Sequence, residues 1–329
     1  MRDLSLPRHL VLLLAAASAA LCASSAAAQD YPARPVRIIV PFATGGGSDT
    51  LARLVGQKLS TAWKQPVVVE NRPGAGGALG ADLVAKAAPD GYTLLVSDSS
   101  AVTMNPWLYP KLPYAAKDLT PVVQLATFAL VLVVPATSPA NKVSDLVAAD
   151  RKKPGSLSGA SSGNGTSPHL VLEMVNLGAG TSFVHVPYKG GGPAMVDIIG
   201  GQVDFIFNGL GASTMPMITG GKVKALAVTT AQRIPSLPQV PTMNESGFPG
   251  FEAVSAQSLF VPAGTPPAVV RKLNADIGKI LREPEVVERW NQAGYLPVGD
   301  ETPEQLGSWF AKESAKWGRI VRERNVKVD

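Results

Sequence analysis

Apolar positions along this chain fall into two alternating rhythms. Val36 to Val40, within YPARPVRIIVPF, form a short β-branched run that predicts a buried strand. Beyond a glycine-rich turn, Leu51, Leu54, Val55 and Leu59 recur at i, i+3, i+4 and i+8, the spacing of one helix face. The order then returns. PVVVEN (Pro66 to Asn71) reads as a strand, RPGAGG as a second glycine turn, ALGADLVAKAAP as a helix stopped by Pro89, and GYTLLVSDSS as a third strand ending in small polar residues. Strands that alternate with helices predict βαβ units and a largely parallel sheet.

The middle of the chain keeps this rhythm. LSGASSGNGTSPHLVLEMVNLG reads as a polar loop opening a helix, FVHVPYKGGGPAMVDIIGG as strand, glycine turn and helix, QVDFIFNGLGASTMPMITGG as the same scheme again, and KVKALAVTT as a strand. Two apolar passages break it. Val122 to Ala136 is too long for one ordinary strand, so it is either two strands or one strand crossing between domains. Phe251 to Pro267 also lacks a helical period and reads as the return crossing. Thr265 is placed to cap a helix with Pro266 or Pro267 in its first turn. Thr302 to Gln305 has capping-box spacing ahead of a final helix through Arg324. Two crossings predict an α/β protein of two domains, 29–127 with 256–329 and 128–255, the second inserted into the first.

The first residues belong to neither domain. Arg2 and Arg8 flank a polar start, Leu10 to Cys22 is an apolar run, and ASSAAAQD supplies small residues for a cleavage site before Gln29. This is the layout of an export signal at 1–28, and the run is shorter than the ~20 residues that span a bilayer. Cys22 is the single cysteine and leaves with the signal, so disulfides, thiolate nucleophiles and cysteine metal sites are excluded. The expected compartment is the bacterial periplasm. Formal charge is +5, but the basic residues are scattered and form no stripe of the kind nucleic-acid proteins show. A monomer is the default expectation.

The glycine loops carry the candidate chemistry. PFATGGGSDT (Pro41 to Thr50) follows a strand and opens a helix, but no Lys follows, so it is not a nucleotide phosphate loop. Adjacent glycines let a ligand approach the backbone, and the helix start offers unpaired N–H groups to an anion such as a carboxylate. The competing reading is a plain strand–helix turn. Ser48 or Asp49 can cap that helix, and Asp49 has the further option of pairing with a ligand amine. SSGNGTSPHL (Ser161 to Leu170) presents a second such start, with Thr166, Ser167 and His169. YKGGGPAM and FNGLGAS add two more polar turns.

NRPGAGGALG departs from the dinucleotide fingerprint Gly-x-Gly-x-x-Gly, and Asp98 stands where an acidic ribose ligand is expected, although it ends the very next strand. That keeps a dinucleotide oxidoreductase or a hydrolase as the enzymatic alternative. No His-Glu-x-x-His pattern occurs, and nothing in the sequence pairs His169 or His185 with a particular serine. No cofactor is expected.

The stretches YPARPVRIIVPFATGGGSDTLAR, VVVENRPGAGGALGADLVAKAAPDGYTLL, GTSPHL, VPYKGGGPAMVDIIGGQVDF, LAVTTAQRIPSLPQVPTMNESGFPGFE and LFVPAGTP resemble the signatures of the Bug-type extracytoplasmic solute receptors, the substrate-binding components of tripartite tricarboxylate transporters. The resemblance implies a two-domain Venus flytrap of the type II periplasmic binding class, with the two crossing strands as hinge. It implies a small organic carboxylate in the cleft and a membrane permease as partner. Carried over by motif, Phe42, Gly46, Ser48 and Asp49 line the first loop. Thr166, Ser167 and His169 lie on the second, with Tyr188 and Lys189 nearby, and Asn208, Ala212 and Ser213 come from the following turn. Ser97, in the polar end of the third strand, completes the candidate set. Two stretches depart from the family pattern: SDSSAVTMNP after the third strand, and FNGLGAS.

Overall fold

The structure is a computed structural model that describes residues 31–211, 214–292, 294–296 and 298–328. The expected signal at 1–28, and Ala212 and Ser213, lie outside the described residues. The alternation read from the sequence builds a first sheet in which β1 (Val36–Val40) pairs in parallel with β2 (Val67–Asn71) and β3 (Thr93–Asp98). The helices α1 (Gly47–Trp63) and α2 (Ala78–Ala85) connect them. Two very short helices, α3 (Ser100–Thr103) and α4 (Asn105–Leu108), follow β3 and lead to β4 (Leu119–Pro135).

The long apolar passage is a single strand. Residues up to Ala129 of β4 pair antiparallel with β9 (Val254–Pro262), which itself pairs antiparallel with β3. From Leu130 onward β4 changes partners and pairs with β7 (Phe205–Gly209) and β8 (Val223–Val228). β7 runs parallel to β5 (Ser158–Ser161), and β5 to β6 (Val184–Pro187). One strand therefore serves two sheets, which explains its length. The return is equally sharp: the Ala253 N–H donates to Thr229 O in the second sheet, and Val254 already faces Ala129 in the first. The four-residue β5 reads from sequence as a polar loop, because Ser-Gly-Ala-Ser carries no apolar run; it is a strand because both of its neighbours pair with it.

The remaining helices are α5 (Val143–Lys152), α6 (Ser167–Ala179), α7 (Gly191–Ile199), α8 (Met215–Thr219), α9 (Pro267–Leu281), α10 (Pro284–Gln292) and α11 (Pro303–Glu323). The first lobe buries Ile38, Leu51, Val55, Leu94, Leu259 and Leu273 together. The second buries Leu132, Leu170, Phe205 and Phe207 on one face of its sheet and Val131, Ile198 and Ile206 on the other.

Helix α11 differs from the expectation that residues 256–329 all belong to the first lobe. Its early residues Leu306 and Phe310 pack with Ile39, Leu95 and Phe260. Its later residues Trp317, Ile320 and Val321 join the core of Leu170 and Phe205, and Arg324 Nε reaches Glu173 Oε2 at 2.6 Å. A helix of 21 residues is about 31 Å long, enough to span both lobes and form a third link between them.

The capping box at Thr302 is formed as expected, with Gln305 N–H donating to Thr302 Oγ1 at 3.2 Å and Thr302 N–H to Gln305 Oε1 at 2.8 Å. Two other caps are corrected. Thr265 donates back to Pro262 O at 2.8 Å, and Pro266 occupies the N-cap of α9 with Pro267 as its first residue. Gly46, not Ser48 or Asp49, is the N-cap of α1.

Candidate functional site

The carboxyl ends of β1 and β3 in one lobe and of β5, β6 and β7 in the other look into a cleft, the usual ligand position in open α/β sheets. Two cavities of about 480 Å³ and about 610 Å³ occupy it. Both are lined by Phe42, Asp98, Phe128 and Gly209, so they are halves of one site with walls from both lobes.

The first jaw is the loop between β1 and α1. Gly46, Gly47 and Ser48 line the larger cavity. The N-cap is a glycine and accepts no side-chain capping bond, so the start of α1 presents backbone to the cleft. A Cβ on Gly47 would stand 2.8 Å from the Tyr295 hydroxyl, so a side chain there has to push that ring aside. Asp49, at 2% exposure, turns away from the cavities. It accepts from Gly45 N at 2.9 Å, Asn71 Nδ2 at 2.9 Å and Arg53 Nε at 3.0 Å. Burial works to raise its pKa, but Arg53, Gly45 and Asn71 together hold the carboxyl below its ordinary value. Asp49 is thus the internal brace of the loop. Asn71 Nδ2 also donates to Phe42 O at 3.0 Å, fixing the residue that divides the cavities.

The second jaw is the loop between β5 and α6. Ser162, Asn164, Gly165, Thr166, Ser167 and Pro168 line the smaller cavity. Thr166 stands at the N-cap of α6, yet its hydroxyl donates to Gly163 O at 2.7 Å and leaves this helix start uncapped by any side chain. His169 is buried behind the loop: its Nδ1 accepts from Gly165 N at 3.0 Å, and its ring stacks on His185 at 3.6 Å between centroids. The Ser161 hydroxyl sits 2.6 Å from His185 Nε2 and also accepts from Gly163 N at 3.1 Å. Burial pushes both imidazoles down to about 4, with His169 adding to the effect at His185.

A third helix start, that of α7, brings Gly191 to the same cavity beside Asn208. A Cβ on Gly191 would stand 2.6 Å from Asn208 Oδ1, so a side chain there has to displace the Asn208 amide. Asn208 Nδ2 donates to Thr214 Oγ1 at 2.9 Å. The other candidates lie elsewhere. The Tyr188 hydroxyl donates to Asp197 Oδ2 at 2.6 Å, Lys189 is exposed, and Ser97 is sealed inside the sheet at 1% exposure. Successive strand residues point to opposite faces, so it is the next residue, Asp98, that reaches the cleft.

Asp98 is the site residue that sequence reasoning set aside, because the dinucleotide motif that drew attention to it was incomplete. It pairs in register with Gln257 across β3 and β9. Its Oδ1 accepts from Ser100 N at 2.8 Å, and its Oδ2 accepts from the Ser255 hydroxyl and from Gln257 Nε2 at 3.2 Å. Gln257 Oε1 in turn accepts from Ser48 Oγ at 2.5 Å, tying Asp98 to the start of α1. Asp98 is the one charged side chain among the described residues that line the two cavities.

The close Ser161–His185 pair is the nearest approach to a hydrolytic dyad, but Ser161 is fully buried and lines neither cavity, so no substrate carbonyl can reach it. Among the described residues no group of three or more His, Cys, Asp or Glu is placed to hold a metal, and no helix is long and apolar enough to cross a membrane.

Two lobes joined by crossing strands, with glycine-rich helix starts from each facing one cleft, define a two-domain binding protein of the type II periplasmic class. The chain belongs to the tripartite tricarboxylate transporter family of receptors, whose sequence model matches residues 51–326. Protein BugT of Bordetella pertussis is 39% identical over 308 residues, which span 93% of this chain and 94% of BugT. Among solved structures, R. palustris Rpa4515 with adipate is 32% identical with a TM-score of 0.78, covering 91% of this chain and 99% of that one. MatC from Rhodopseudomonas palustris with bound malate is 34% identical with a TM-score of 0.74, covering 88% of this chain and 100% of that one. The chain is accordingly a solute-binding receptor.

Proposed function

We propose that this receptor is exported to the periplasm, binds a small carboxylate-bearing molecule between its lobes without transforming it, and delivers it to the permease of a tripartite tricarboxylate-type transporter. One observation carries the reading. The starts of α1, α6 and α7, none with a side-chain capping bond, face cavities lined by no cationic side chain among the described residues. Free N–H groups at helix starts attract an anion by hydrogen bonds and by the helix dipole. Malate in MatC and adipate in Rpa4515 agree with such a ligand.

Phe42, Gly46, Ser48, Thr166, Ser167 and Asn208 form the proposed contact set, together with Ala212 and Ser213 from the sequence motif. Asp49, His169 and Tyr188 act from behind it. The lobes rotate about the partner changes at 129/130 and 253/254, and the ligand favours the closed state by binding it more tightly than the open one. A thermal-shift screen with malate, adipate, succinate, citrate and benzoate tests the reading. At 100 times its dissociation constant the right ligand adds about 2.7 kcal/mol of stability. A flat response to every acid, together with turnover of an ester or redox substrate, rejects it.

A further inference from the structure

One wall of the larger cavity comes from neither jaw. Tyr295 belongs to the short linker between α10 and α11, yet it lines that cavity together with Gly46, Gly47 and Ser48. The linker is pinned from several directions. Leu296 exchanges both backbone bonds with Thr127 of the crossing strand β4, at 3.1 Å and 2.8 Å. Gly294 lies so close to the turn after β7 that a Cβ would stand 2.8 Å from Leu210 O. Tyr295 N–H donates to Trp290 O at 2.8 Å.

The ring is held as well as the backbone. It packs edge-on against Phe128 at 4.9 Å and against Trp290 at 6.1 Å between centroids, and such pairs fix the orientation of a ring. Trp290 is itself anchored, its indole N–H donating to Leu125 O at 2.7 Å. The Tyr295 hydroxyl is thereby carried to the start of α1, beside Gly47. The hydroxyls of Tyr31, Tyr114 and Tyr188 each donate to a protein oxygen, whereas that of the half-buried Tyr295 has no acceptor among the described residues. Burial pushes its phenol above the ordinary value, so it is a protonated donor at neutral pH. Beside the uncapped N–H groups of α1, a spare O–H suits the same anionic oxygen.

Tyr295 is also a partition. A third cavity of about 310 Å³ adjoins the larger cleft cavity, and only Thr50 and Tyr295 line both, so these two side chains stand between them. The third cavity has Arg53 and Arg289 in its walls against one carboxylate, Asp49. An acid that could pass the partition would find two guanidinium groups there, which the cleft itself does not offer.

We propose that Tyr295 sets the length of the acid this receptor takes: its hydroxyl donates to the ligand carboxylate at the start of α1, and its ring bars that carboxylate from the cavity that holds Arg53 and Arg289. This rests on the carboxylate reading above and adds the residue that selects among acids.

Isothermal titration of the linear dicarboxylates from malonate to sebacate tests it, on the wild type, Tyr295→Phe and Tyr295→Ala. Tyr295→Phe keeps the wall and loses the donor, so it is expected to bind the best wild-type acid about tenfold more weakly with the same preferred length. Tyr295→Ala joins the two cavities and is expected to move the preference to a longer acid, by about tenfold relative to the wild-type optimum. A merely structural role would weaken every acid alike and leave the order of chain lengths unchanged. Tyr295→Phe with wild-type affinity overturns the inference even if Tyr295→Ala does not fold, and so does Tyr295→Ala with the wild-type order of lengths. A wild type that binds none of this series but binds another acid of the thermal screen also overturns it; in all three cases the carboxylate reading stands. A wild type that binds no acid at all overturns both.

Discussion

The two jaws share one plan, strand, glycine loop and uncapped helix start, yet they are braced by opposite chemistry. The first is held by carboxyl groups. Asp49 gathers Gly45, Asn71 and Arg53 behind the loop, and Asp98 gathers Ser100, Ser255 and Gln257 at the cleft wall. The second is held by neutral groups, the buried His169 imidazole stacked on the half-buried His185 ring, and the Ser161 hydroxyl. A helix start needs only to be left uncapped to receive an anion, so the brace behind it is free to differ.

The largest expected effect separates ligand contact from fold. Gly46 has ordinary φ, and an added Cβ meets nothing closer than Ala43 O at 3.5 Å. Gly46→Val should therefore fold normally while its side chain covers the start of α1. Affinity for the tightest acid in the screen should drop at least ~100-fold, about 2.7 kcal/mol. Calorimetry that finds unchanged affinity would reduce the first loop to a turn.

In the second jaw the expected loss is in stability. Gly165 has φ +72°, and a Cβ there would press to 2.5 Å from Val328 and 3.0 Å from Leu108. Gly165→Ala should cost about 1–2 kcal/mol for the left-handed backbone alone. Urea denaturation measures it, and a change within ~0.3 kcal/mol would show the loop to be free to relax. The brace of the first jaw is worth somewhat less. Asp49→Asn keeps a side-chain acceptor for Gly45 but gives up the half-exposed ion pair with Arg53, a loss of about 0.5–1 kcal/mol. High salt should shrink that difference, and a salt-independent loss would assign it to packing.

Acid should loosen the jaws one after the other. The imidazoles titrate near 4 when folded and near 6.5 when unfolded, so between those values the unfolded chain binds more protons and the second jaw loses stability as pH falls. Asp49 lies below its ordinary 3.8, so the first jaw loses its share only below that value. Asp98, raised, contributes with the opposite sign, which makes a local probe more informative than a melting temperature. Hydrogen exchange at pH 5 should show residues 162–170 opening before residues 42–49. Simultaneous opening would mean that the braces are not independent.

Much of this was legible in the residues. The β-branched run Val36–Val40, the helix spacing of Leu51 to Leu59 and the glycine turns after each strand carry the α/β order, because strand and helix periods are local properties. The two long apolar passages also pointed to crossings. β5 escaped notice because its four small residues become a strand only through β6 and β7. Ser97 was chosen over Asp98 because sequence does not say which side of a strand faces a cleft. Asp49 looked like a cap or a ligand contact, and its burial among Gly45, Asn71 and Arg53 depends on β2 lying alongside β1.

The sequence by itself determined the alternation of elements, the glycine-rich helix starts and the resemblance to a receptor family, since these depend on spacing along the chain. Only the tertiary structure decided that α11 bridges both lobes, that two histidines stack behind one jaw, and that Asp98 meets Ser255 and Gln257 at the cleft wall. Those contacts join residues far apart in the chain, and their energies depend on burial, which exists only once both sheets have packed.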